Sequence, residues 1–414
     1  MPKFRYVTAV TLSVMATFLW GPAEPLAARA QPGVEPDRIV FGQAAALTGP
    51  AASLGQDMRA GLLAAFGEVN RVGGVNGRKL KLVSLDDGYD PDRSVQATNK
   101  LIHDDKVFAL IGAVGTPTSL ASQPIAAEAG VPFIAAFTGA EFLRAPFKPN
   151  VVNVRASYFQ ETEAMVQHLI ADRGVRRIAI LYQDDAFGRA GLEGVQRALD
   201  KRSMRLVAEG AFERNTTAIK SPLLVIRASN PEAVILVGPY EPCAAFIKLA
   251  RSLGMTSLFL NTSFVGAGAL AHELGALGDG VFVTQVAPSP WDRSLPLVAR
   301  YQDALSALAT NPEFSFVSLE GYIAGRLVIA ALERTPGQPT REKLLGAIFG
   351  QHFDLGGVRL DYAPGSNQGT DAVFMSILHG DGRISVVQNL RVAPDSRRQA
   401  AISSSVKATK EAQH

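Results

Sequence analysis

The stretch LIGAVGTPTSLASQ, residues 110–123, places glycines and hydroxyl residues between an apolar strand pattern and a helix pattern. Thr116 is suited to cap this helix, and Pro117 is suited to its first position. A helix start of this kind presents unpaired backbone N–H groups and a partial positive charge. In an open α/β sheet it faces the crevice at the carboxyl ends of the strands. The segment therefore predicts a site for an anionic group such as a carboxylate.

The sequence of this segment allows two other interpretations. In the simpler one, Thr116 only caps its own helix. In the other, the segment is a phosphate loop, but the patterns G-x-x-x-x-G-K-[ST] and G-x-G-x-x-G are both absent here. The residues alone leave the simpler interpretation open.

Residue types that catalyse reactions form no recognisable pattern. The nucleophile pattern G-x-S-x-G is absent, and the six histidines are scattered without the H-E-x-x-H spacing. The acid pair in YQDDAFG, residues 182–188, lacks a third metal ligand nearby, and a capped helix explains it. We therefore expect a protein that is not an enzyme and that needs neither a metal nor a cofactor.

Length and composition bound the class of protein. The 414 residues are 47% hydrophobic and 19% charged, which is enough for two cores and makes two domains the default expectation. Cys243 is the only cysteine, which excludes an intramolecular disulfide and a zinc cluster of thiolates. No run of Lys and Arg with interleaved aromatic residues is present, which argues against a nucleic-acid partner.

The amino terminus has the pattern of an export signal. Lys3 and Arg5 precede an apolar stretch over 6–20, and AARA at 27–30 offers small residues for cleavage before Gln31. A membrane anchor is the alternative, but the apolar core has about 15 residues where a spanning helix needs about 20. We expect residues 1–30 to be a cleaved signal peptide, with a periplasmic mature chain and no stable membrane insertion.

From Arg38 onward, short apolar runs alternate with helical patterns. Strand patterns that are apolar throughout, such as AVILVGPY at 233–240, are typical of parallel sheets covered by helices on both faces. After Pro290 come three helical segments and then three strand patterns, FDLGGVRLD, DAVFMSILHG and RISVVQNLRV, with a hairpin turn at GDGR. The rhythm predicts an α/β fold with two doubly wound parallel-sheet lobes. Residues 393–414 are polar and aperiodic, and we expect a disordered tail there.

The region from about Arg38 to Leu390 resembles the leucine/isoleucine/valine-binding family of periplasmic solute receptors for ABC transporters. The residues that carry the likeness are LTGP at 47–50 with Gly55, GGVNG at 73–77, and Asp86, Asp87 and Pro91. The resemblance implies a type I periplasmic binding protein with a three-crossover hinge. It implies a first lobe of residues 37–154 plus 288–361 and a second of 155–287 plus 362–392, with crossovers near Arg155, Pro288 and Asp361.

The same resemblance implies a set of ligand-binding positions. The hydroxyl that binds a carboxylate in the family corresponds to Thr116, and the next binding loop to Phe137, Thr138 and Gly139. Three further positions hold aromatic residues in the family, and here they are Leu54 in the first lobe and Phe187 and Tyr240 in the second. For Phe187 the alternative is a core residue on a helical face, with Gly191, Val195 and Leu199.

One position departs from the family pattern. The acid that grips the α-amino group in amino-acid-binding members corresponds to Ser263 in this chain. Four other acids are candidates to replace it: Asp184, Asp185, Glu241 and Glu320. For the first three, capping of a helix start is the alternative. An acid in the cleft favours a zwitterionic amino acid, and the absence of one favours a carboxylic acid with a neutral tail.

The resemblance thus implies a protein that captures a small carboxylate or amino acid by hinge closure and delivers it to an ABC-transporter membrane permease. The alternative is a sensor of the same fold that signals to a separate membrane partner.

Overall fold

The computed structural model describes residues 1–3 and 31–391. Most of the predicted signal peptide, residues 4–30, and the whole predicted tail at 393–414 lie outside the described residues. Both therefore remain predictions.

Among residues 31–391, five parallel strands form the first sheet. They are β1 (Arg38–Ala45), β2 (Lys79–Asp86), β3 (Ala109–Ile111), β4 (Phe133–Ile134) and β5 (Val151–Val152). Their spatial order is β2-β1-β3-β4-β5. Strand β1 pairs with β2, where Ile39 lies opposite Leu80, and with β3, where Phe41 lies opposite Ala109. Strand β1 is buried along almost its whole length, as expected where helices cover both faces.

The second sheet has a parallel part and an antiparallel edge. The parallel strands are β6 (Ile178–Gln183), β7 (Ala208–Phe212), β8 (Ala233–Val237), β9 (Leu258–Asn261) and β10 (Phe282–Gln285). A separate antiparallel pair, β11 (His352–Asp354) and β12 (Arg359–Asp361), precedes the edge strands β13 (Phe374–Leu378) and β14 (Ile384–Val387). The order in the second sheet is β14-β13-β10-β9-β8-β6-β7.

Helices connect these strands. They are α1 (Ala52–Arg71), α2 (Pro91–Asn99), α3 (Thr116–Glu128), α4 (Tyr158–Arg173), α5 (Ala186–Asp200), α6 (Lys220–Ala228), α7 (Tyr240–Ser252), α8 (Ala267–Leu274), α9 (Pro296–Ser306), α10 (Phe316–Glu333) and α11 (Arg341–Gly346). A π-helical turn over Lys100–Asp104 extends α2, and a 3₁₀ turn over Ser263–Val265 follows β9. We refer to each sheet with its helices as a lobe. The predicted α/β architecture with two lobes is confirmed.

The chain passes between the two sheets three times. It leaves the first sheet after β5 and enters the second at β6, returns after β10 to helices that pack on α1, and crosses again between β12 and β13. The exact limits proposed for the two lobes remain predictions. These crossings place Arg155 and Tyr158 in the first connecting segment, between the sheets.

Some elements differ from the sequence prediction. The run FDLGGVRLD is not one strand but the hairpin β11–β12, because Gly356 and Gly357 adopt positive φ angles of 101° and 90° and reverse the chain. Strands β3 and β4 are shorter than their apolar runs, whose remaining residues lie buried in loops at the ends of the strands. The hairpin predicted at GDGR is confirmed, since β13 and β14 pair in antiparallel fashion around it.

Helices α1 and α10 pack backbone to backbone. A Cβ atom added to Gly61 would come within 1.9 Å of the Ser318 carbonyl oxygen, and one added to Gly321 within 2.3 Å of the Met58 carbonyl oxygen. Only glycine permits this approach. The contact fixes the start of α10 and with it the position of Glu320.

Among the residues that the structure describes, none of the helices is both long enough and apolar enough to cross a membrane.

Candidate functional site

The predicted ligand-binding residues follow the carboxyl ends of strands in both sheets. In the first lobe, Thr116 follows β3, and Phe137 and Thr138 follow β4; in the second, Phe187 follows β6 and Ser263 follows β9. The carboxyl ends of parallel strands in one sheet share an edge. Contacts between these residues, described below, join the two edges into one cleft.

Two threonine hydroxyls form the centre of the first-lobe edge. The Thr116 and Thr138 hydroxyl oxygens lie 2.6 Å apart, and the Ala140 N–H donates to the Thr138 hydroxyl at 3.2 Å. Both threonines are at most 1% exposed. The pair therefore offers buried hydroxyl groups beside the amino-terminal end of α3.

The prediction that Thr116 caps α3 is wrong. Gly115 is the capping residue: its φ is 108°, and its carbonyl accepts from the Ser119 N–H at 3.1 Å. Thr116 is the first helical residue, and its hydroxyl turns to Thr138 instead of to its own helix. The Thr118 hydroxyl, by contrast, donates to the Val114 carbonyl at 2.5 Å. The simpler interpretation, in which Thr116 only caps its own helix, therefore does not apply.

Two further hydroxyls near the threonine pair make no hydrogen bond of good geometry with the described residues. They belong to Ser119 in the first turn of α3 and to Tyr158, whose pKa the neighbouring Thr116 and Thr138 hydroxyls lower against the effect of burial. Burial raises the pKa of Tyr158, whose side chain is completely inaccessible. Gly139 makes room for this residue, because a Cβ atom there would lie 2.7 Å from the Tyr158 backbone nitrogen and 2.8 Å from its ring. A buried hydroxyl without a partner is costly unless a ligand satisfies it.

An aromatic cluster joins the two lobes. Phe264, in the 3₁₀ turn after β9, packs with ring centroids 5.9 Å from Tyr89, 5.3 Å from Phe137 and 4.6 Å from Phe187. Tyr158 packs on Phe187 at 5.2 Å. Phe187 is therefore a buried residue of α5 that also belongs to this aromatic cluster between the lobes; its contact with a ligand remains a prediction.

The remaining predicted apolar positions are also buried. Leu54 is 1% exposed and approaches the second lobe, because a Cβ atom added to Gly266 would lie 2.5 Å from its Cδ2. Tyr240 is 6% exposed and begins α7 at the carboxyl end of β8. It shares the cleft edge of the second sheet with Phe187 and Ser263.

The second-lobe acids are occupied elsewhere or half exposed. Asp185 caps α5 by accepting from the Phe187 and Gly188 N–H groups, and it also accepts from Gln183 at 2.6 Å. Asp184 pairs with Arg189 at 2.9 Å on the exposed surface. Glu241 is not a cap, since Pro239 precedes the helix there, and burial raises its pKa.

A buried ionic cluster lies at the first crossover. Arg155 is completely inaccessible; its Nη2 donates to Glu161 Oε1 at 3.3 Å and to the Ser263 hydroxyl, and its Nη1 lies 3.6 Å from Glu320 Oε1. The guanidinium carbon lies 4.7 Å above the centre of the Phe137 ring. The cluster thus connects α10 of the first lobe with α4 and the Ser263 turn of the second.

The charges of this cluster perturb one another. Burial lowers the pKa of Arg155, but Glu320 and Glu161 outweigh burial and hold it above its usual value. Burial raises the pKa of Glu320 to about 7 against the opposing effect of Arg155. Arg155 is therefore a permanent cation, and Glu320 keeps its proton to a higher pH than a free carboxyl group does.

Arg144 supports this arrangement through hydrogen bonds to the backbone. Its guanidinium donates to the Arg155 carbonyl at 3.1 Å, to the Ala140 carbonyl at 2.9 Å and to Gln368 Oε1 at 2.6 Å. Burial lowers its pKa to about 10. Arg144 therefore holds both the loop of Thr138 and the crossover of Arg155 in place.

Two contacts bridge the lobes at the opening of the cleft. Arg214 of the second lobe lies 3.8 Å from Asp90 of the first, and it also lies 3.6 Å from Asp185 of its own lobe. The Asn215 amide donates to the Gly88 carbonyl at 3.3 Å. These contacts exist only while the lobes are together, so they oppose opening.

Asp86 explains part of the sequence pattern in the first loop. Its carboxylate accepts from the Leu47 and Thr48 N–H groups and from the Thr48 hydroxyl, and it pairs with Arg93 at 2.7 Å. Burial opposes ionisation, but these hydrogen bonds hold the pKa of Asp86 well below its usual range. The pattern LTGP with a distant aspartate thus builds the loop that leads into α1 and Leu54.

Sequence reasoning missed several residues of the site, namely Tyr89, Tyr158, Glu161, Gln183 and Phe264, and it noted Arg155 only as a crossover. One signal was available. Arg155 stands in the apolar context VVNVRAS, and a charge in such a context requires a partner. Among the described residues, no group of three or more His, Cys, Asp or Glu side chains is placed to hold a metal ion.

Two α/β lobes, connected by three crossings and enclosing buried hydroxyls and aromatic rings, define a bilobal small-molecule-binding protein. The sequence model of the family described as periplasmic binding protein matches residues 38–382. The chain belongs to the periplasmic binding protein family, whose members bind solutes and are not enzymes.

Individual relatives agree with this assignment. A solved structure of a possible leucine/isoleucine/valine-binding protein from Rhodopirellula baltica has 37% sequence identity and a TM-score of 0.81, covering 87% of this chain and 98% of that one. The leucine-, isoleucine-, valine-, threonine-, and alanine-binding protein of Pseudomonas aeruginosa is 26% identical over 323 residues, 77% of this chain and 84% of that protein. An amino acid binding protein of the same species is 25% identical over 239 residues, 57% of this chain and 63% of that protein.

Proposed function

We propose that this protein captures a small carboxylate-bearing molecule between its lobes, outside the cytoplasm, and delivers it to an ABC-transporter permease. The observation that carries the proposal is the cradle of Thr116, Thr138 and Tyr158. Its hydroxyls are buried and lie at the amino-terminal end of α3, and that of Tyr158 makes no hydrogen bond of good geometry with the described residues. Hydrogen bonds from such groups to a carboxylate are charge-assisted and stronger than neutral ones.

The surroundings of the cradle suit an organic acid of moderate size. Phe137, Phe187 and Phe264 supply an apolar wall on which an aliphatic or aromatic body can pack. Relatives that carry amino-acid-binding names support a ligand with a carboxylate. The position of Ser263 prevents a simple transfer of their amino-acid specificity to this chain.

Capture proceeds by hinge closure. A ligand that contacts both lobes binds the closed form better than the open form, and this difference in affinity shifts the equilibrium toward closure. The bridges made by Arg214 and Asn215 add to the stability of the closed form. The closed shape is what a permease would recognise.

A thermal-shift screen of the purified protein against amino acids and organic acids tests the proposal, because a ligand bound only by the folded state raises the melting temperature. We expect at least one carboxylate to raise it, and the neutral amide of the same molecule to have no effect. Equal shifts from an acid and its amide, or a ligand seen in a crystal remote from Thr116, would refute carboxylate capture.

Two further measurements test export and transport. The first residue of the protein recovered from the periplasm is expected to be Gln31. Growth on the identified ligand as the sole carbon or nitrogen source is expected to require this protein; unimpaired growth without it would favour the sensor instead.

A further inference from the structure

The hydrogen-bonding capacity of the ionic cluster is unevenly used. Glu161 is saturated: it accepts from the Ser263 N–H at 2.8 Å, the Ser263 hydroxyl at 2.9 Å, the Thr284 hydroxyl at 2.5 Å and Arg155. An ionised carboxylate has about four lone-pair sites. Glu161 therefore has no acceptor left for an ammonium group on a ligand.

Arg155 is in the opposite situation. Its Nε and Nη1 are buried and donate no hydrogen bond to the described residues, although the whole side chain is inaccessible to solvent. Nη1 has an ionic neighbour, Glu320 Oε1 at 3.6 Å, whereas Nε has no partner of either kind among the described residues. A guanidinium carries five N–H donors, and three of them belong to these two nitrogens. Leaving buried charged donors without an acceptor is costly, so the arrangement favours an acceptor supplied from outside the chain.

The unused donors lie next to the carboxylate cradle. The Arg155 guanidinium covers the Phe137 ring, and the next residue, Thr138, contributes one of the two paired hydroxyls. An atom bonded close to a carboxylate held by Thr116 and Thr138 would therefore meet a cation.

The nearby acids are engaged elsewhere or face this cation. Asp184 and Asp185 of the second lobe are engaged with Arg189 and with the start of α5. Glu320 of the first lobe faces Arg155 at 3.6 Å, and its Oε1 accepts no hydrogen bond from the described residues. An ammonium group near Ser263 would lie beside a buried guanidinium and would compete with it for Glu320. Like charges brought together in a desolvated site repel strongly.

We infer that the cleft selects carboxylic acids that carry an oxygen, as a 2-oxo or 2-hydroxy group, in place of the α-amino group, and that Arg155 is the residue that determines this specificity. The inference rests on the proposed function, since it names the class of carboxylate that the same cleft takes. A keto or hydroxyl oxygen accepts from Arg155, whereas an ammonium group has no acceptor capacity at all.

Matched ligand series on the unaltered protein test this inference. One series is ketoisocaproate, hydroxyisocaproate, isocaproate and leucine; the second is phenylpyruvate, phenyllactate, phenylpropanoate and phenylalanine. Within a series only the group next to the carboxylate changes. By calorimetry we expect the oxo or hydroxy acid to bind at least about tenfold more tightly than both the unsubstituted acid and the amino acid.

A substitution then assigns the preference to Arg155. Arg155→Lys keeps the positive charge but loses the forked donors. It should remove most of the advantage of the oxo acid over the unsubstituted acid, measured as the ratio of the two affinities in the same variant. Arg251→Lys is the matched control, because Arg251 is also largely buried but donates to the Asp279 carbonyl at the far end of α7.

The outcomes separate this inference from the proposed function. Tighter binding of leucine or phenylalanine than of its oxo and hydroxy counterparts would overturn the inference and leave carboxylate capture intact. An unchanged ratio in a folded Arg155→Lys protein would remove Arg155 as the determinant. Absence of binding by every acid in both series would overturn the inference together with capture of such carboxylates. If the variant does not fold, the series on the unaltered protein decide alone.

Discussion

The side-chain amide of Gln183 donates to the hydroxyl of Tyr89 at 3.2 Å, from the end of β6 in the second lobe to the loop after β2 in the first. Both residues are buried. Tyr89 has a positive φ of 60°, held by Asp87, which accepts from its N–H at 2.9 Å. A Cβ atom on Gly115 would lie 2.3 Å from the Tyr89 ring. The Tyr89 ring therefore packs against the start of α3, and its hydroxyl group contacts the second lobe.

Replacing Thr116 with valine should weaken binding of the captured acid by about 1 to 3 kcal/mol, because a buried charged carboxylate loses a hydroxyl donor. Calorimetry with the acid found in the screen measures the change. Thr118→Val is the matched control: its hydroxyl serves only the Val114 carbonyl, so this substitution should lower stability but not affinity. Equal affinities for Thr116→Val and the unaltered protein would remove Thr116 from the site.

Arg214→Ala should favour the open form. Arg214 is the cation that lies near Asp90 across the cleft opening, and its loss should reduce ligand affinity by about 0.5 to 1 kcal/mol, the scale of a partly exposed ion pair. Small-angle scattering should show a larger radius of gyration without ligand. Arg189→Ala breaks an exposed pair within the second lobe and should change neither quantity. Identical behaviour of the two variants would argue against a bridging role.

Gly266→Ala should impede complete closure, because the added Cβ would lie 2.5 Å from Leu54 Cδ2 in the opposite lobe. The leucine side chain can shift, so we expect a loss of affinity of a few-fold. Gly254→Ala shares the positive φ, 77° against 73°, but its Cβ would meet nothing within 4 Å. This control separates backbone strain, common to both variants, from contact between the lobes. An equal loss of affinity in both would exclude the contact as its cause.

Glu320→Gln should stabilise the protein increasingly as pH rises. Burial raises the pKa of Glu320 from 4.5 to about 7, so between these values the folded state keeps a proton that the unfolded state has lost. Stability of the unaltered protein therefore falls as pH rises through this window. Glutamine does not titrate, so the variant lacks this pH dependence. Its free energy of unfolding, relative to that of the unaltered protein, should grow by up to about 3 kcal/mol from pH 5 to pH 8.

Urea denaturation of both proteins at several pH values measures this difference. Asp57 and Asp87 also have pKa values raised to about 6 by burial, and they contribute equally to both proteins. Subtracting one curve from the other isolates Glu320. A difference that is constant with pH would show that Glu320 is ionised in the folded state throughout.

The alternation of apolar runs and helical patterns was sufficient to predict the α/β class, because it depends only on burial and local periodicity. Helix starts such as Asp90 and Ser157 also follow from capping chemistry that sequence reveals. The helix cap was predicted at Thr116, one residue too late. Gly115 adopts the capping conformation, and Thr138 offers the Thr116 hydroxyl a better partner. That partner lies 22 residues away in the sequence.

The ionic cluster could not be predicted for the same reason. Arg155, Glu161, Ser263, Thr284 and Glu320 come together only when the two sheets are in place. Local patterns give no information on which of several acids lies near an arginine more than a hundred residues distant. The resemblance located Ser263 as a departure, but its contact with a guanidinium required the structure.

The saturated carboxylate of Glu161 has a mechanical consequence. Its donors include Arg155, in the first segment that connects the lobes, and Thr284, at the end of β10 where the second connecting segment begins. A single anion thereby links two of the three connecting segments to one another. Bending in one connecting segment should therefore be transmitted to the other, and we expect the two halves of the molecule to turn about a shared pivot in one concerted rotation.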